Sequence, residues 1–280
     1  MRTTPHQRFP SRKRKTDDRL EWLFGTHTVL EALRQNRRKL VRLHLKDSGR
    51  ERLQTLVEAA RASGVPVSSE SPRWFDEHLG ESVNQGVALQ CGPLPTLDEA
   101  ELPVSNPGER GIVFVLDGVE DPHNLGAIVR TLGFFGAQAL VIPKVRTSAL
   151  SPVAAKASVG VLEWFPVVTV TNLHRFLESQ KKHGYWVVGL DGAAGNSLQQ
   201  LEWDRPLMVV LGAEGTGLRA LTKRTCDWLV SIPGAPEVDS LNVSNTAAIT
   251  CYHLRNTGSV PEFATPLKTT PVDQLSKFLS

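Results

Sequence analysis

Cysteine is scarce in this chain, and tyrosine and methionine are scarcer still: three, two and two residues in 280. Cys91, Cys226 and Cys251 lie far apart and form no CxxC pair, which excludes a zinc knuckle or a thioredoxin-like motif. An odd number of cysteines argues against a disulfide framework and points to a reducing compartment. No His, Cys and Asp cluster carries ligand spacing, so no metal is expected. Apolar runs stay short of the roughly 18 residues that a membrane-spanning helix requires. The first residues lack the apolar core of a secretory signal. A mitochondrial presequence would share their arginine richness and their lack of acids before Asp17. The RKRK cluster and weak amphipathicity favour the bacterial cytosol instead.

Hydrophobic residues make up 40% of the chain, enough for a real core in one large domain or two smaller ones. The net charge of +3 is modest but uneven. The opening MRTTPHQRFPSRKRKTDDR is dense in Arg and Lys and holds little that could seed a core. Such an arm, residues 1–20, is either a contact for an RNA or DNA backbone or a solvated tail.

From residue 21 to about 91 the pattern is that of a small α/β module. Thr26 is placed to cap a helix bearing Val29, Leu30 and Leu33. LVRLHLK alternates with Val41, Leu43 and Leu45 on one face, as a half-buried strand does. Leu53, Leu56, Val57 and Ala60 mark a second helix, ended by Ser63-Gly64. Short runs at Val65-Pro66-Val67 and Val87-Ala88-Leu89 read as further strands. Pro93, Pro95, Pro103 and Pro107 then punctuate a stretch without period, which reads as a linker over 92–109. A second domain follows over 110–258, with a tail at 259–280. Its runs GIVFVLDG, ALVIPK, YWVVGLDG, PLMVVLGAEG and WLVSIPG have the continuous apolar character of strands covered on both faces. Helical patterns lie between them, near Ile128–Phe135, Val153–Val159, Leu173–Lys182 and Leu218–Thr222. The alternation predicts a parallel α/β sheet with ligands at the carboxyl ends of its strands.

Three turns after apolar strands hold polar residues that the fold does not require. In DGVEDPHNLGAIVRTLGFFG, Asn124 sits near a helix start and Arg130 six residues on; alone, the first reads as a cap and the second as a solvated charge. In LGAEGTGL, Glu214 sits between glycines that let a backbone approach a ligand, but the spacing is not the GxGxxG of dinucleotide folds. In VDSLNVS, Ser240, Asn242 and Ser244 lead into a helix and outnumber the caps it needs.

Together these segments resemble the three motifs of the SpoU/TrmH family of SPOUT methyltransferases. Asp121, Pro122, Asn124, Gly126, Ile128, Arg130 and Thr131 fill the first. Leu211-Gly212-Ala213-Glu214-Gly215 fills the second, and Ile232-Pro233 with Ser240-Leu241-Asn242-Val243-Ser244 fills the third. GTHTVLEAL and NQGVAL resemble the family's ribosomal-protein-like substrate-binding domain. Two departures are Gly234-Ala235-Pro236, where many relatives carry Met and Gly after Ile-Pro, and Asn245-Thr246, where small apolar residues are common.

The resemblance implies a second domain tied in a deep trefoil knot, a homodimer, and S-adenosylmethionine as cofactor. It implies methyl transfer to a ribose 2′-hydroxyl, in the two-domain layout of enzymes acting on a guanosine of large-subunit ribosomal RNA. The cofactor would rest on Leu211, Gly212, Gly215, Ile232, Pro233 and Leu241. Asn124, Arg130, Glu214, Ser240 and Asn242 would form the active site. Arg130 would hold the 2′-oxygen or a neighbouring phosphate, since a guanidinium binds anions in a fork but does not readily deprotonate. Glu214 would position Arg130 or Asn124, while Asn242 and Ser240 complete a hydrogen-bond cage. RNA contacts are expected at Arg12, Lys13, Arg14, Lys15, Arg37 and Arg38. Ala247, Ala248, Cys251 and Tyr252 would supply the self-complementary face of the dimer. The rival readings are a transfer-RNA enzyme of the same family, a non-catalytic RNA-binding assembly protein, and a nicotinamide-dependent oxidoreductase, which the missing GxGxxG disfavours.

Overall fold

Two sheets organise the chain in a computed structural model that describes residues 20–47, 53–80, 84–103, 111–145, 147, 150–235, 237–238 and 240–257. The basic arm with Arg12, Lys13, Arg14 and Lys15, and the tail 259–280, lie outside the described residues. The front module contains β1 (Glu21–Phe24), α1 (Thr26–Gln35), β2 (Leu40–Lys46), α2 (Gln54–Ala62), β3 (Val67–Glu70), α3 (Pro72–Leu79) and β4 (Val87–Cys91). Its strands run in the order β1-β4-β2-β3, antiparallel except for the β2–β3 pair. Thr26 does not cap α1: Gly25, with φ of 90°, precedes the helix, and Thr26 instead bonds Gln85. The expected half-burial of β2 is also revised, because His44 on the face opposite Leu43 and Leu45 is buried under Trp74.

The second domain adds β5 (Leu97–Asp98), β6 (Ile112–Asp117), α4 (Pro122–Phe135), β7 (Ala139–Pro143), α5 (Pro152–Ala157), β8 (Val167–Val170) and α6 (Leu173–Lys182). It continues with β9 (Trp186–Leu190), β10 (Asn196–Ser197), β11 (Leu207–Gly212), α7 (Ala220–Thr225), β12 (Trp228–Ser231) and α8 (Val243–Thr257). All pairs in its sheet are parallel, in the order β10-β12-β9-β11-β6-β7-β8-β5. Strands β6, β7 and β11 are buried almost throughout, as their apolar runs require. Helix α4 starts where Asp121 accepts from the His123 amide and Pro122 fills the first turn; it ends at Gly136 with φ of 68°.

The described part of the stretch read as a linker, residues 92–103, is built into the fold. Leu97 and Asp98 form β5 on β8, and Leu94 is buried. One hydrophobic cluster runs from Leu23, Leu33 and Leu94 through to Phe114, Leu125 and Leu162, so the two domains share a core. At their junction Arg38, only 3% exposed, donates to both carboxylate oxygens of Glu163, at 2.8 and 2.9 Å. Arg37, half-buried beside it, donates to the backbone oxygens of Glu163 and Pro95. The expectation that Arg38 meets RNA is therefore corrected: its charge is spent inside the protein, holding the domains together. The carbonyl contacts leave Arg37 little better placed.

Candidate functional site

Strand β6 lies between β11 and β7, and the chain leaves it for β7 on one side while β11 closes the other. The carboxyl ends of β6 and β11 therefore flank a crevice of the kind that binds ligands in open parallel sheets. A cleft of about 400 Å³ opens there, lined by Asp117 to Asp121 and Asn124 from the β6–α4 turn. Ala213, Glu214, Thr216, Gly217 and Arg219 line it from the β11–α7 turn. Gly212 is required for the second turn, because a Cβ there would collide with the backbone of Gly217 and Leu218 as the chain doubles back. Ala213 and Gly217 hydrogen-bond each other across this loop.

The loop after β12 carries the chain back to the same place. Asn242 donates from Nδ2 to Asn124 Oδ1 at 3.0 Å and to Glu214 Oε1 at 2.5 Å. Its Oδ1 accepts from the Ser244 amide at 2.8 Å and from Ser244 Oγ, so the same side chain caps α8. Three residues more than 25 positions apart thus meet in one hydrogen-bonded knot of side chains. Asn124 is free for this because Asp121, not Asn124, caps α4. Gly126 sets the depth at which α4 packs: a Cβ there would lie 2.5 Å from Ala154 O.

Other expected members stand apart. Six residues beyond Asn124, Arg130 lies about 120° around the helix and about 9 Å along it. It is exposed, does not line the cleft, and has no hydrogen bond to a described residue. Glu214 does not touch Arg130, and it reaches Asn124 only through Asn242. Ser240 is exposed and outside the hub. Leu211 is buried and does not line the cleft. Ile232 follows β12 half-buried and Pro233 is exposed, Gly215 sits at the tip of its turn with φ of 76°, and Leu241 is 44% exposed.

The sequence reading passed over Asp117 and Arg219. Asp117 ends β6 with its side chain fully buried; it accepts from the Arg219 amide at 3.0 Å and from Arg219 Nε at 2.5 Å. Asp191, at the end of β9, pairs in the same way with Lys223 at 2.6 Å, which holds its carboxyl below the usual range. Both strands end in Leu-Asp-Gly, and that repeated signature was the available signal. Arg219, partly exposed, is the cation of a cleft that also holds Glu120, Asp121 and Glu214. Burial pushes the thiols of Cys91, Cys226 and Cys251 up to about 12, so none serves as a nucleophile at neutral pH. Among the described residues no group of three or more His, Cys, Asp or Glu is disposed to hold a metal ion, and no helix is long and apolar enough to cross a membrane.

Dimer contacts expected on Ala247 and Cys251 are also revised, since both side chains pack into this chain's own core. The exposed apolar residues of α8 are Ile249 and Tyr252, at 40% and 64%. They lie beside α4, whose Phe134 is 80% exposed and whose Phe135 ring meets Tyr252 at 6.4 Å.

Comparison with known proteins gives matching results for both domains. Residues 111–252 match the model of the SpoU rRNA Methylase family. Residues 22–97 match a model described as RNA 2′-O ribose methyltransferase substrate binding. The chain is 38% identical over 236 residues to the 23S rRNA (guanosine-2′-O-)-methyltransferase RlmB of Pseudomonas putida, covering 83% of this chain and 95% of that protein. It is 36% identical over 247 residues to the enzyme of the same name from Coxiella burnetii, covering 87% and 98%. The fold is that of the SpoU methyltransferase AviRb from Streptomyces viridochromogenes in complex with AdoMet (TM-score 0.72, 21% identity, 85% of this chain and 90% of that one). An AdoMet-bound rRNA methyltransferase from Sinorhizobium meliloti gives a TM-score of 0.72 at 23% identity, covering 86% and 89%.

Proposed function

The chain belongs to the SpoU rRNA methylase family, and from that premise we propose that it transfers a methyl group from S-adenosylmethionine to the ribose 2′-hydroxyl of a guanosine in 23S ribosomal RNA. The observation that carries the reading is the hub in which Asn242 ties Asn124 to Glu214 at the carboxyl ends of β6 and β11.

The residues around the hub suit the cofactor. Beyond β12, Leu241 and Val238 are 44% and 65% exposed, apolar side chains left uncovered beside the backbone of the loop. An adenosine takes such cover, with Leu211, Gly212, Gly215, Ile232 and Pro233 offering main-chain groups. Bound S-adenosylmethionine supplies a methyl group on a sulfonium, open to an oxygen arriving in line. The protein's task is to place that oxygen and favour its developing charge. Asn242 engages one oxygen of Glu214 and the carbonyl of Asn124, which leaves Glu214 Oε2 and Asn124 Nδ2, on two residues that line the cleft, outside that pair of bonds. A ribose hydroxyl can donate to the first and accept from the second. Ser240 stands at the mouth of the same loop as a further donor.

Arg130 completes the site across a homodimer interface. It lies one turn before Phe134 on the exposed side of α4, and Phe134 meets the ring of Phe135, which in turn meets Tyr252 of α8. A twofold contact on this patch buries the apolar residues and turns each guanidinium toward the partner's cleft. There it holds the 2′-oxygen or an adjoining phosphate in its planar fork. The trefoil knot expected of the family, and a bacterial cytoplasmic location in keeping with three free thiols, belong to the same reading.

Labelled methyl transfer to 23S ribosomal RNA, with the modified linkage mapped by its alkaline resistance, is the test. Transfer to a single guanosine ribose supports the proposal. Transfer to transfer RNA alone moves the substrate, and inertness on both makes the protein an RNA-binding assembly factor.

A further inference from the structure

The outer face of the front sheet, turned away from Leu23, Leu43 and Leu45, carries a column of aromatic rings. Trp74 lies between two histidines, 4.4 Å from His44 at 12° and 4.1 Å from His78 at 16°. Trp22 meets all three edge-on, at 5.3 Å from His44, 5.5 Å from Trp74 and 5.9 Å from His78. The anchor of α3 on the core is Phe75, 2% exposed, so the helix does not depend on the column alone for its seat.

The column has a closed end and an open one. His44 is buried, with Nδ1 2.9 Å from Glu70 Oε1 and 3.0 Å from Ser68 Oγ. His78 is exposed, and its Nδ1 bonds to the Trp74 carbonyl at 2.8 Å, which fixes the ring parallel to the indole. Strand register sets Trp22, Gln90 and Arg42 in one row across β1, β4 and β2, and Arg42 is exposed. An exposed ring at the end of a stack, on a sheet face that also carries an amide and a cation, has the composition of a surface that takes unpaired bases.

We propose that this column is a stacking platform for an unpaired base of the RNA substrate, which joins it as a further layer on the open face of His78 while Arg42 supplies charge to the backbone. The proposal rests on the RNA methyltransferase reading and names where the substrate-binding module grips its RNA. Every base offers a π face, so such a contact distinguishes single strand from duplex rather than one base from another. It lies outside the methyl-transfer cleft, so it sets RNA affinity and not the chemical step.

The experiment uses the full-length protein, a fluorescently labelled single-stranded purine oligoribonucleotide and a duplex of equal length. Wild type should prefer the single strand. His78→Ala should weaken that binding on the order of 10-fold or more. His78→Tyr, which keeps a ring, should restore it, whereas His78→Gln, which keeps polarity alone, should not. Binding of S-adenosylmethionine and the thermal midpoint should match wild type in all three variants. Unchanged affinity in His78→Ala, equal rescue by Gln and Tyr, or preference for the duplex overturns the platform. Methyl transfer to ribosomal RNA, measured separately, decides the enzyme reading alone: an inert wild type that still stacks single strands refutes that reading and leaves the platform standing.

Discussion

Arg38 in the front module and Glu163 in the second domain form a two-pronged ion pair with both side chains closed to solvent, 0% and 1% exposed. Burial opposes the charge on Arg38, but the hydrogen bonds and field of Glu163, with Glu21 behind it, hold the guanidinium above its ordinary value. A pair of this kind is costly to break from one side only, because the surviving charge stays buried. Arg38→Met should lower the unfolding free energy by about 3–5 kcal/mol, whereas Arg38→Met with Glu163→Leu should recover most of that loss. Urea denaturation of the three proteins measures both quantities. A single substitution costing under about 1 kcal/mol would show that the junction tolerates an unpaired carboxylate.

The dimer prediction follows from the exposed face of α4 and α8. Tyr252→Glu adds a charge at a residue 64% exposed, beside Ile249 and in edge contact with the ring of Phe135. Sedimentation at micromolar concentration should move from about 61 kDa, twice the 30.7 kDa chain, to the monomer mass, with the thermal midpoint little changed. Methyl transfer should fall with dimer content. A Tyr252→Glu protein that remains dimeric would place the interface elsewhere.

Much of this architecture was legible because β6, β7, β9, β11 and β12 are unbroken apolar runs ended by glycine or proline. What escaped was too short or too dependent on distant partners. The two residues of β5 carry no period, and Val167–Val170 is only four residues long after a proline. His44 alternates as a polar residue should, and only the arrival of α3 buries it. Arg38 looked like a surface charge until Glu163, 125 positions away, met it. In the site, Asn242 stood out in a polar run exceeding the capping need, whereas Asn124 read alone as a cap and joined Glu214 and Asn242 only through the three-motif resemblance. Which of them bonds which depends on the loop after β12, and no local pattern encodes that. The exposed position of Arg130 was readable in principle, since six helical residues turn it away from Asn124.

Acid should weaken the front module through His44. Burial lowers its pKa below the usual value near 6.5, and Arg42 and His78 push the same way; Glu70, bonded to Nδ1, works against them without prevailing. On acidification the unfolded chain therefore takes up the proton before the folded one. This contribution to stability is complete above about pH 6.5 and is lost as pH falls through that value toward the lower folded one. Thermal midpoints recorded between about pH 8 and about pH 5 should decline more steeply for wild type than for His44→Phe. Parallel curves would assign the acid sensitivity to other groups.

The last prediction separates a site made within one chain from one completed by its partner. Asn242→Asp removes the donor to Asn124 and Glu214 and sets a second carboxylate against Glu214, so the hub should come apart. Arg130→Ala leaves the hub intact, since Arg130 touches none of it. Each variant alone should bind RNA nearly as wild type yet lose single-turnover transfer by a factor on the order of 10²–10³, the usual cost of one well-placed transition-state donor. Arg130→Lys should rescue little, because a point charge does not reproduce the fork. Mixing the two inactive variants then asks where Arg130 works. In a mixed dimer, one cleft carries an intact Asn242 and faces an intact Arg130 from the other subunit, while the second cleft lacks both. After subunits are exchanged at equal concentration, activity should return to about a quarter of the wild-type sites. A mixture as inactive as its parents would return Arg130 to its own chain's cleft and leave the dimer without a catalytic part.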